Sequence, residues 1–181
     1  MEQAATDTLK YPMGRFKMPE TFTDEDILKA IHTIREFPVK VKNEVWYLEE
    51  EGLQYLHRPG GWSIRQIVHH CADSHMNAFI RTKLALTENN PAIKTYEEAE
   101  WAKLPDSTDT PVESSFHVLD GLHARWVNLL SALNDAQFRR TVFHPGMKKE
   151  VKVVDLLFLY SWHCGHHLAH IKNAKKYKNK F

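Results

Sequence analysis

The segment WHCGHHLAH (162–170) places four histidines within eight residues of one predicted helix. At about 3.6 residues per turn, the inward face of a helix over 155–177 consists of the following residues: Leu156, Tyr160, His163, His167, His170 and Ala174. Such a face is covered by other parts of the protein, and buried imidazoles are costly unless each finds a partner. The rest of the chain must therefore fold so that it supplies those partners.

Three further helices are predicted upstream of this one. Thr23 is a good N-cap for the first helix, within which Pro38 should cause a kink or an interruption. Ser63 caps a second helix that runs to about Thr87. A third helix should start at Thr110-Pro111 and continue to about Leu133. Four helices of this length predict an all-α protein, a four-helix bundle formed by a single domain over residues 1–181.

The connections between the helices differ in length and composition. Residues 89–110 are rich in Pro, Asn, Asp and Thr, and they predict a long loop of the kind that is often functional. Residues 141–154 contain His-Pro-Gly in the middle, which indicates either a short hairpin or an extended crossover before the last helix.

Charge and composition exclude several classes of protein. The 24 Lys and Arg residues nearly balance the 23 Asp and Glu residues, so we expect neither a nucleic-acid partner nor an anionic membrane partner. No apolar run approaches the roughly 20 residues of a membrane span, and the N-terminal segment has no apolar core typical of a secretory signal. Cys71 and Cys164 do not form a disulfide framework. The sequence thus predicts a cytoplasmic protein.

The spacing of the histidines predicts a metal site. His163 and His167 are one helical turn apart, so their imidazoles can reach one ion. A third ligand is expected from the second helix, where His70 is the best candidate because it shares a polar flank with Ser74 and Arg81. Three histidines with an open coordination position are typical of a catalytic metal, which lowers the pKa of a bound water.

The residues alone leave two alternatives open. On the second helix His69 competes with His70, and on the last helix the pair His166 and His170 has the same spacing as His163 and His167.

Several stretches resemble the DinB/YfiT-like family of metal-dependent hydrolases, and together they cover nearly the whole chain. They are YPMGRFKMPE (11–20), GGWSIRQIVHHCADSHMNAFIRTKLALTE (60–88), ENNPAIKTYEEAEWAKLPDS (88–107), LHARWVNLL (122–130), FHP (143–145) and LYSWHCGHHLAHI (159–171). The resemblance implies a cytoplasmic, dimeric four-helix bundle with one divalent metal per subunit. It assigns the ligands to His70, the second histidine after the GGWS motif, and to the HxxxH pair His163 and His167.

Three functions are compatible with this resemblance. The first is a hydrolase in which zinc or nickel activates water on an unidentified small substrate. The second is an S-transferase, because relatives in the wider superfamily transfer low-molecular-weight thiols such as bacillithiol. The third is a metal-binding scaffold without enzymatic activity.

The remaining assignments concern the surroundings of the site. Asn77, Arg81 and Tyr160 share helix faces with the ligands and are candidates for the pocket wall, and His170 is a candidate to support a ligand from behind. The sequence identifies no general acid or base. Cys71, Cys164, Trp62 and His75 are interpreted as packing residues, and the scattered histidines as surface or loop residues: His32, His57, His117, His123 and His144.

Overall fold

The computed structural model describes residues 7–181, and this part of the chain contains four long helices. They are α1 (Asp24–Val45), α2 (Ile64–Thr87), α3 (Glu113–Ser131) and α4 (Val153–Tyr177). Helix α1 packs against α3 and α4, and α2 packs against the same two helices, so α1 and α2 lie at opposite corners. The predicted all-α four-helix bundle is confirmed. The prediction that the N-terminal segment is no secretory signal falls partly on residues 1–6, which lie outside the described residues.

Two helix starts follow directly from local sequence. Thr23 Oγ1 accepts a hydrogen bond from the backbone N–H of Asp26 at 3.3 Å, and the Asp26 carboxylate accepts one from Thr23 N–H at 2.9 Å. Ser63 and Gln66 make the same reciprocal pair at 3.3 and 3.0 Å. Each pair satisfies two backbone donors at a helix start, where no intrahelical partner exists. The predicted starts of α1 and α2 are therefore confirmed.

Two predicted boundaries differ from the structure. The interruption predicted at Pro38 was wrong, because helix α1 continues through this residue, while a kink there stays a prediction. Pro38 is buried in the core beside Phe37 and Val41, and this packing offsets the hydrogen bond that a proline lacks. Helix α3 begins at Glu113 and not at Thr110-Pro111. The carbonyl of Thr110 instead accepts hydrogen bonds from outside its own segment, including one of 2.7 Å from the Arg65 side chain.

The connection before α4 is a hairpin, so the alternative of an extended crossover was wrong. Strand β1 (Thr141–His144) pairs antiparallel with β2 (Lys149–Lys152), and a 3₁₀ turn over Pro145–Met147 joins them. The long loop at 89–110 contains one-turn helices at Glu98–Trp101 and Pro105–Thr108. A bridge between Ala92 and Phe143 fastens that loop to the hairpin.

Further one-turn helices lie at Glu50–Leu53 and Asp135–Phe138. The hydrophobic core lies between the four long helices, and its most deeply buried large side chains include Trp126, Phe37 and Leu119. In residues 7–181 no helix is both long enough and apolar enough to cross a membrane.

Candidate metal centre

Helices α2 and α4 bring three histidines together in the interior of the bundle. Ring nitrogens of His70, His163 and His167, one from each, all lie within 4.8 Å of one another. The Nε2 atoms of His70 and His163 are 3.3 Å apart. Two Zn–N bonds of about 2.0–2.1 Å at a tetrahedral angle place their nitrogens roughly 3.3–3.4 Å apart. The donor set and its spacing therefore fit a divalent ion such as zinc.

Burial keeps these three imidazoles neutral. It lowers the pKa of His70 to about 4, and the charge of His166 acts in the same direction. Burial also lowers the pKa of His163 and of His167 well below the ordinary histidine value, with neighbouring histidines contributing. A metal binds the unprotonated imidazole nitrogen, so the site needs to displace few protons at neutral pH.

Two further histidines lie behind His163, on the side away from His70. His75 Nε2 is 3.0 Å from His163 Nδ1, and His75 Nδ1 is 2.7 Å from His123 Nε2. The Nδ1 atom of His123 in turn lies 2.6 Å from the carbonyl oxygen of Ile34. His163 is therefore held by hydrogen bonding on its Nδ1 side, which leaves Nε2 directed at the other two histidines.

A cavity of about 640 Å³ opens onto the three histidines. Its wall combines aromatic and aliphatic side chains with charged groups, a composition and a size typical of small-molecule sites. The cationic side chains are Lys10, Arg58, Arg81 and Lys149, whereas the acidic ones are Glu98 and Asp155. Burial raises the pKa of Glu98, and the nearby Arg81 guanidinium acts in the opposite direction. The cavity is thus positively biased before any ion is added.

One wall of the cavity carries hydroxyl and guanidinium groups. The Tyr160 hydroxyl lies 3.4 Å from Ser74 Oγ, and the Tyr160 ring centroid is 5.4 Å from that of His163. Burial raises the pKa of Tyr160, so its hydroxyl stays protonated and can donate a hydrogen bond. Arg81 Nε is buried and has no hydrogen-bond partner among the described residues. These groups can donate hydrogen bonds to a negatively charged group of a bound molecule.

The structure separates the predicted pocket residues. Arg81 and Tyr160 line the cavity, but Asn77 is not among its lining residues. Asn77 instead donates a side-chain hydrogen bond of 2.9 Å to the Asp73 carbonyl on its own helix. That bond holds the Asn77 amide against its own helix.

His170 lies in the cavity wall but makes no described hydrogen bond to the three clustered histidines. Its Nε2 is 3.1 Å from the carbonyl oxygen of Lys10, and its ring lies 4.2 Å from the His57 ring, centroid to centroid. Among residues 7–181, His75 is the histidine outside the cluster whose ring nitrogen is hydrogen-bonded to a cluster member.

The packing interpretation holds for the cysteines but not for all the histidines. Cys71 and Cys164 are buried, and burial raises the pKa of both thiols. His123 was predicted at the surface or in a loop, and this was wrong because it is buried within α3. His57 lies in a loop, as predicted, but its side chain is buried. Trp62 packs its ring against His70 with centroids 4.7 Å apart, and it also lines the cavity.

Sequence reasoning missed the role of the residues behind and around the cluster. A signal for His75 was available, since it falls on the apolar face of α2 and a buried imidazole needs a partner. His123 gave the same signal, since it falls between Leu119 and Trp126 on the apolar face of α3. Glu98 in the long loop and His144 at the end of β1 gave no such signal, because their neighbours in the cavity come from distant segments of the chain.

Comparison with known proteins places this geometry in a family. The model of the DinB superfamily matches residues 44–171. A protein of Geobacillus thermodenitrificans, named "Putative metal-dependent hydrolase", is 44% identical over 172 residues, which is 95% of this chain and 97% of the relative. YfiT of Bacillus subtilis carries the same description and is 44% identical over 168 residues, covering 93% of this chain and 94% of the relative.

A solved structure agrees with the fold. The structure of YfiT from Bacillus subtilis, described as a probable metal-dependent hydrolase with an unusual four-helix bundle topology, superimposes with a TM-score of 0.91 at 42% identity. The match covers 94% of this chain and 98% of that one. From the family match, the full-length relatives and the shared fold, we conclude that this chain belongs to the DinB superfamily.

Proposed function

We propose that the chain is a metal-dependent hydrolase whose divalent ion, zinc or nickel, is held by His70, His163 and His167. The observation that supports this proposal most directly is that neutral imidazole nitrogens from two helices converge. The Nε2 atoms of His70 and His163 are only 3.3 Å apart. When bound, such an ion lowers the pKa of water and polarises an electrophilic carbonyl or phosphoryl group. The names of the similar proteins support this function.

The side chains of the cavity indicate how a substrate would be held. Tyr160 O–H and the Arg81 guanidinium lie on one wall, where they can donate hydrogen bonds to an oxygen that gains negative charge during hydrolysis. The cationic excess of the lining favours a small substrate that carries an anionic group. Trp62 and the apolar wall residues exclude water from the rest of that substrate.

The test is a comparison of metal content and hydrolysis. We expect the purified protein to hold about one zinc or nickel ion per chain and to hydrolyse 4-nitrophenyl acetate in a chelator-sensitive way. His167→Ala should lose both properties, whereas His117→Ala, an exposed residue of α3, should keep them. Equal metal content in the two variants would refute the ligand assignment.

A thiol S-transferase is the second candidate, and one observation favours it. The two cysteines of the chain are buried with raised pKa values, so any reactive thiol must enter as a separate molecule. A cavity of about 640 Å³ is large enough for a thiol and a small electrophile. Turnover of 1-chloro-2,4-dinitrobenzene that requires bacillithiol or glutathione would support the S-transferase over the hydrolase.

The third candidate is a scaffold that the ion merely stabilises. It would be supported if metal raises the melting temperature while neither substrate class is turned over.

We further propose that the protein acts in the cytoplasm as a homodimer, without nucleic-acid or membrane partners. Met76 and Ile80, one turn apart on α2 and 39% and 50% exposed, supply apolar surface for self-association, which sedimentation equilibrium would test.

A further inference from the structure

We propose that His75 and His123 are positioning residues, which fix the tautomer of His163 so that its Nε2 lone pair is available to the metal. The proposal rests on the proposed function only in taking His163 as a ligand. It concerns two residues outside the cavity, and it assigns them a role beyond packing.

The backbone of α1 fixes the tautomer of His123. The carbonyl oxygen of Ile34 can only accept a hydrogen bond, and it lies 2.6 Å from Nδ1 of His123. The His123 proton must therefore sit on Nδ1. Since a neutral imidazole carries one N–H, Nε2 of His123 is left as an acceptor.

The tautomer of His123 in turn fixes those of His75 and His163. Nε2 of His123 accepts from Nδ1 of His75 at 2.7 Å, so Nε2 of His75 is an acceptor as well. That atom accepts from Nδ1 of His163 at 3.0 Å. His163 therefore carries its proton on Nδ1 and presents an unprotonated Nε2, the atom that lies 3.3 Å from His70 Nε2. The opposite direction is excluded, because the Ile34 carbonyl cannot donate.

The chain of hydrogen bonds also crosses the entire bundle. Ile34 lies in α1, His123 in α3, His75 in α2 and His163 in α4. Each hydrogen bond in the chain therefore joins two different helices. The orientation of His163 consequently depends on the relative placement of all four helices. A metal ligand is commonly oriented in this way by a hydrogen bond to its other nitrogen.

Burial protects the arrangement from competing water. His75 is 0% exposed and His123 is 2% exposed. Phe37 covers both rings, with centroids 5.1 and 5.8 Å from theirs, and Trp126 packs edge-on against them. Burial also lowers the pKa of His123 to about 4, so the neutral form that the argument needs is the one present at neutral pH.

The test compares variants that keep or remove the hydrogen bonds. His75→Leu and His123→Leu remove the acceptor and donor atoms at similar volume, whereas the amide of His75→Gln can still accept from His163 and donate to His123. His117→Leu on the exposed side of α3 is the control. Zn²⁺ affinity is measured by competition with a chromogenic chelator, and folding by circular dichroism and melting temperature.

We expect Zn²⁺ affinity to fall by about 10–100-fold in both Leu variants and to recover largely in His75→Gln. The loss of Zn²⁺ affinity in His123→Leu is the more stringent test. Among residues 7–181, His123 is hydrogen-bonded to His75 and not to His163, so it can affect His163 only through His75. Folded Leu variants with unchanged affinity would overturn the proposal, since a purely structural role lowers stability alone.

A second measurement does not depend on the metal or on the variants folding. Long-range ¹⁵N–¹H correlation spectra of the metal-free wild-type protein report the tautomer of each imidazole. We expect Nδ1–H with unprotonated Nε2 for His75, His123 and His163. An Nε2–H tautomer at His163 would overturn the proposal, whereas the expected tautomers in a protein that binds no Zn²⁺ would refute only the proposed function.

Discussion

The Nε2 atoms of His70 and His163 lie 3.3 Å apart, although 93 residues separate them in the sequence. Helices α2 and α4 pack side by side, and the third histidine, His167, sits one turn beyond His163 on the same face of α4. Two unprotonated nitrogens facing each other repel unless a proton or a cation lies between them. The site is therefore expected to contribute to folding stability when a metal fills it.

Metal removal should destabilise the protein. At a free metal concentration of about 100 times the dissociation constant, binding adds roughly 2.7 kcal/mol to the free energy of unfolding. For a chain of this size that corresponds to a melting temperature about 5–10 °C higher with metal than after chelation. Differential scanning calorimetry checks the shift, which His163→Ala should abolish. A chelator effect of equal size in that variant would contradict the assignment.

Tyr160→Phe should slow turnover without loss of metal. The hydroxyl that can donate to the developing negative charge is removed, while the ring that packs near His163 stays. Loss of one such donor typically costs about 10²–10³-fold in kcat. Steady-state kinetics on 4-nitrophenyl acetate should show this fall with KM within a few-fold. Tyr177→Phe, at the far end of α4, serves as the control, and unchanged kcat in Tyr160→Phe would remove Tyr160 from the mechanism.

Arg81 should determine a preference for anionic substrates. Its buried Nε has no partner among the described residues, and the cavity lining has more cationic than acidic side chains. We expect the wild-type protein to favour mono-4-nitrophenyl succinate over the neutral acetate ester in kcat/KM. Arg81→Gln should lose about tenfold or more of that preference, mostly through KM. An equal preference in wild type and variant would show that the anionic group binds elsewhere.

The metal-free protein should lose stability as the pH falls below about 6.5. An unfolded histidine takes up a proton near pH 6.5, whereas burial lowers the pKa of His123 in the folded protein to about 4 and that of His75 well below 6.5. Between these values the unfolded state binds more protons, so each such histidine reduces stability by up to about 1.4 kcal/mol per pH unit. Above pH 7.5 the contribution should be constant.

Melting temperatures in chelator between pH 4.5 and 8 check this pH dependence. A variant without the His123 imidazole, His123→Gln, should show a shallower decline, because one fewer proton is taken up on unfolding. Stability that rises as the pH falls from 7 to 5 would contradict the predicted loss of stability.

A side chain at position 61 should lower the stability of the protein. A Cβ atom there would lie 2.5 Å from Cε1 of His57, a buried ring whose Nδ1 is 2.9 Å from the Trp62 carbonyl oxygen. Gly61→Ala should therefore cost about 1–3 kcal/mol and disturb the cavity wall. Gly121→Ala on α3, where a Cβ meets nothing within 4 Å, should instead stabilise by roughly 0.4–1 kcal/mol. Urea denaturation of both variants tests the opposite signs.

Local sequence determined the helical elements. The capping pairs Thr23–Asp26 and Ser63–Gln66 set two helix starts through contacts three residues apart, which the sequence shows directly. The apolar faces then require a bundle, because each amphipathic helix must bury one side. The HxxxH spacing likewise placed His163 and His167 on one face of α4, since helical geometry alone decides which side chains are neighbours one turn apart.

Only the tertiary structure decided which distant residues meet. The residues alone left His69 and His70 as alternatives, and packing of α2 turns His69 toward Ser115 and Thr110 while His70 faces α4. The same packing joins His123 to His75 and His75 to His163. Such contacts depend on the rotation of each helix within the bundle. That rotation is set by the sum of many core contacts, which no local spacing in the sequence reveals.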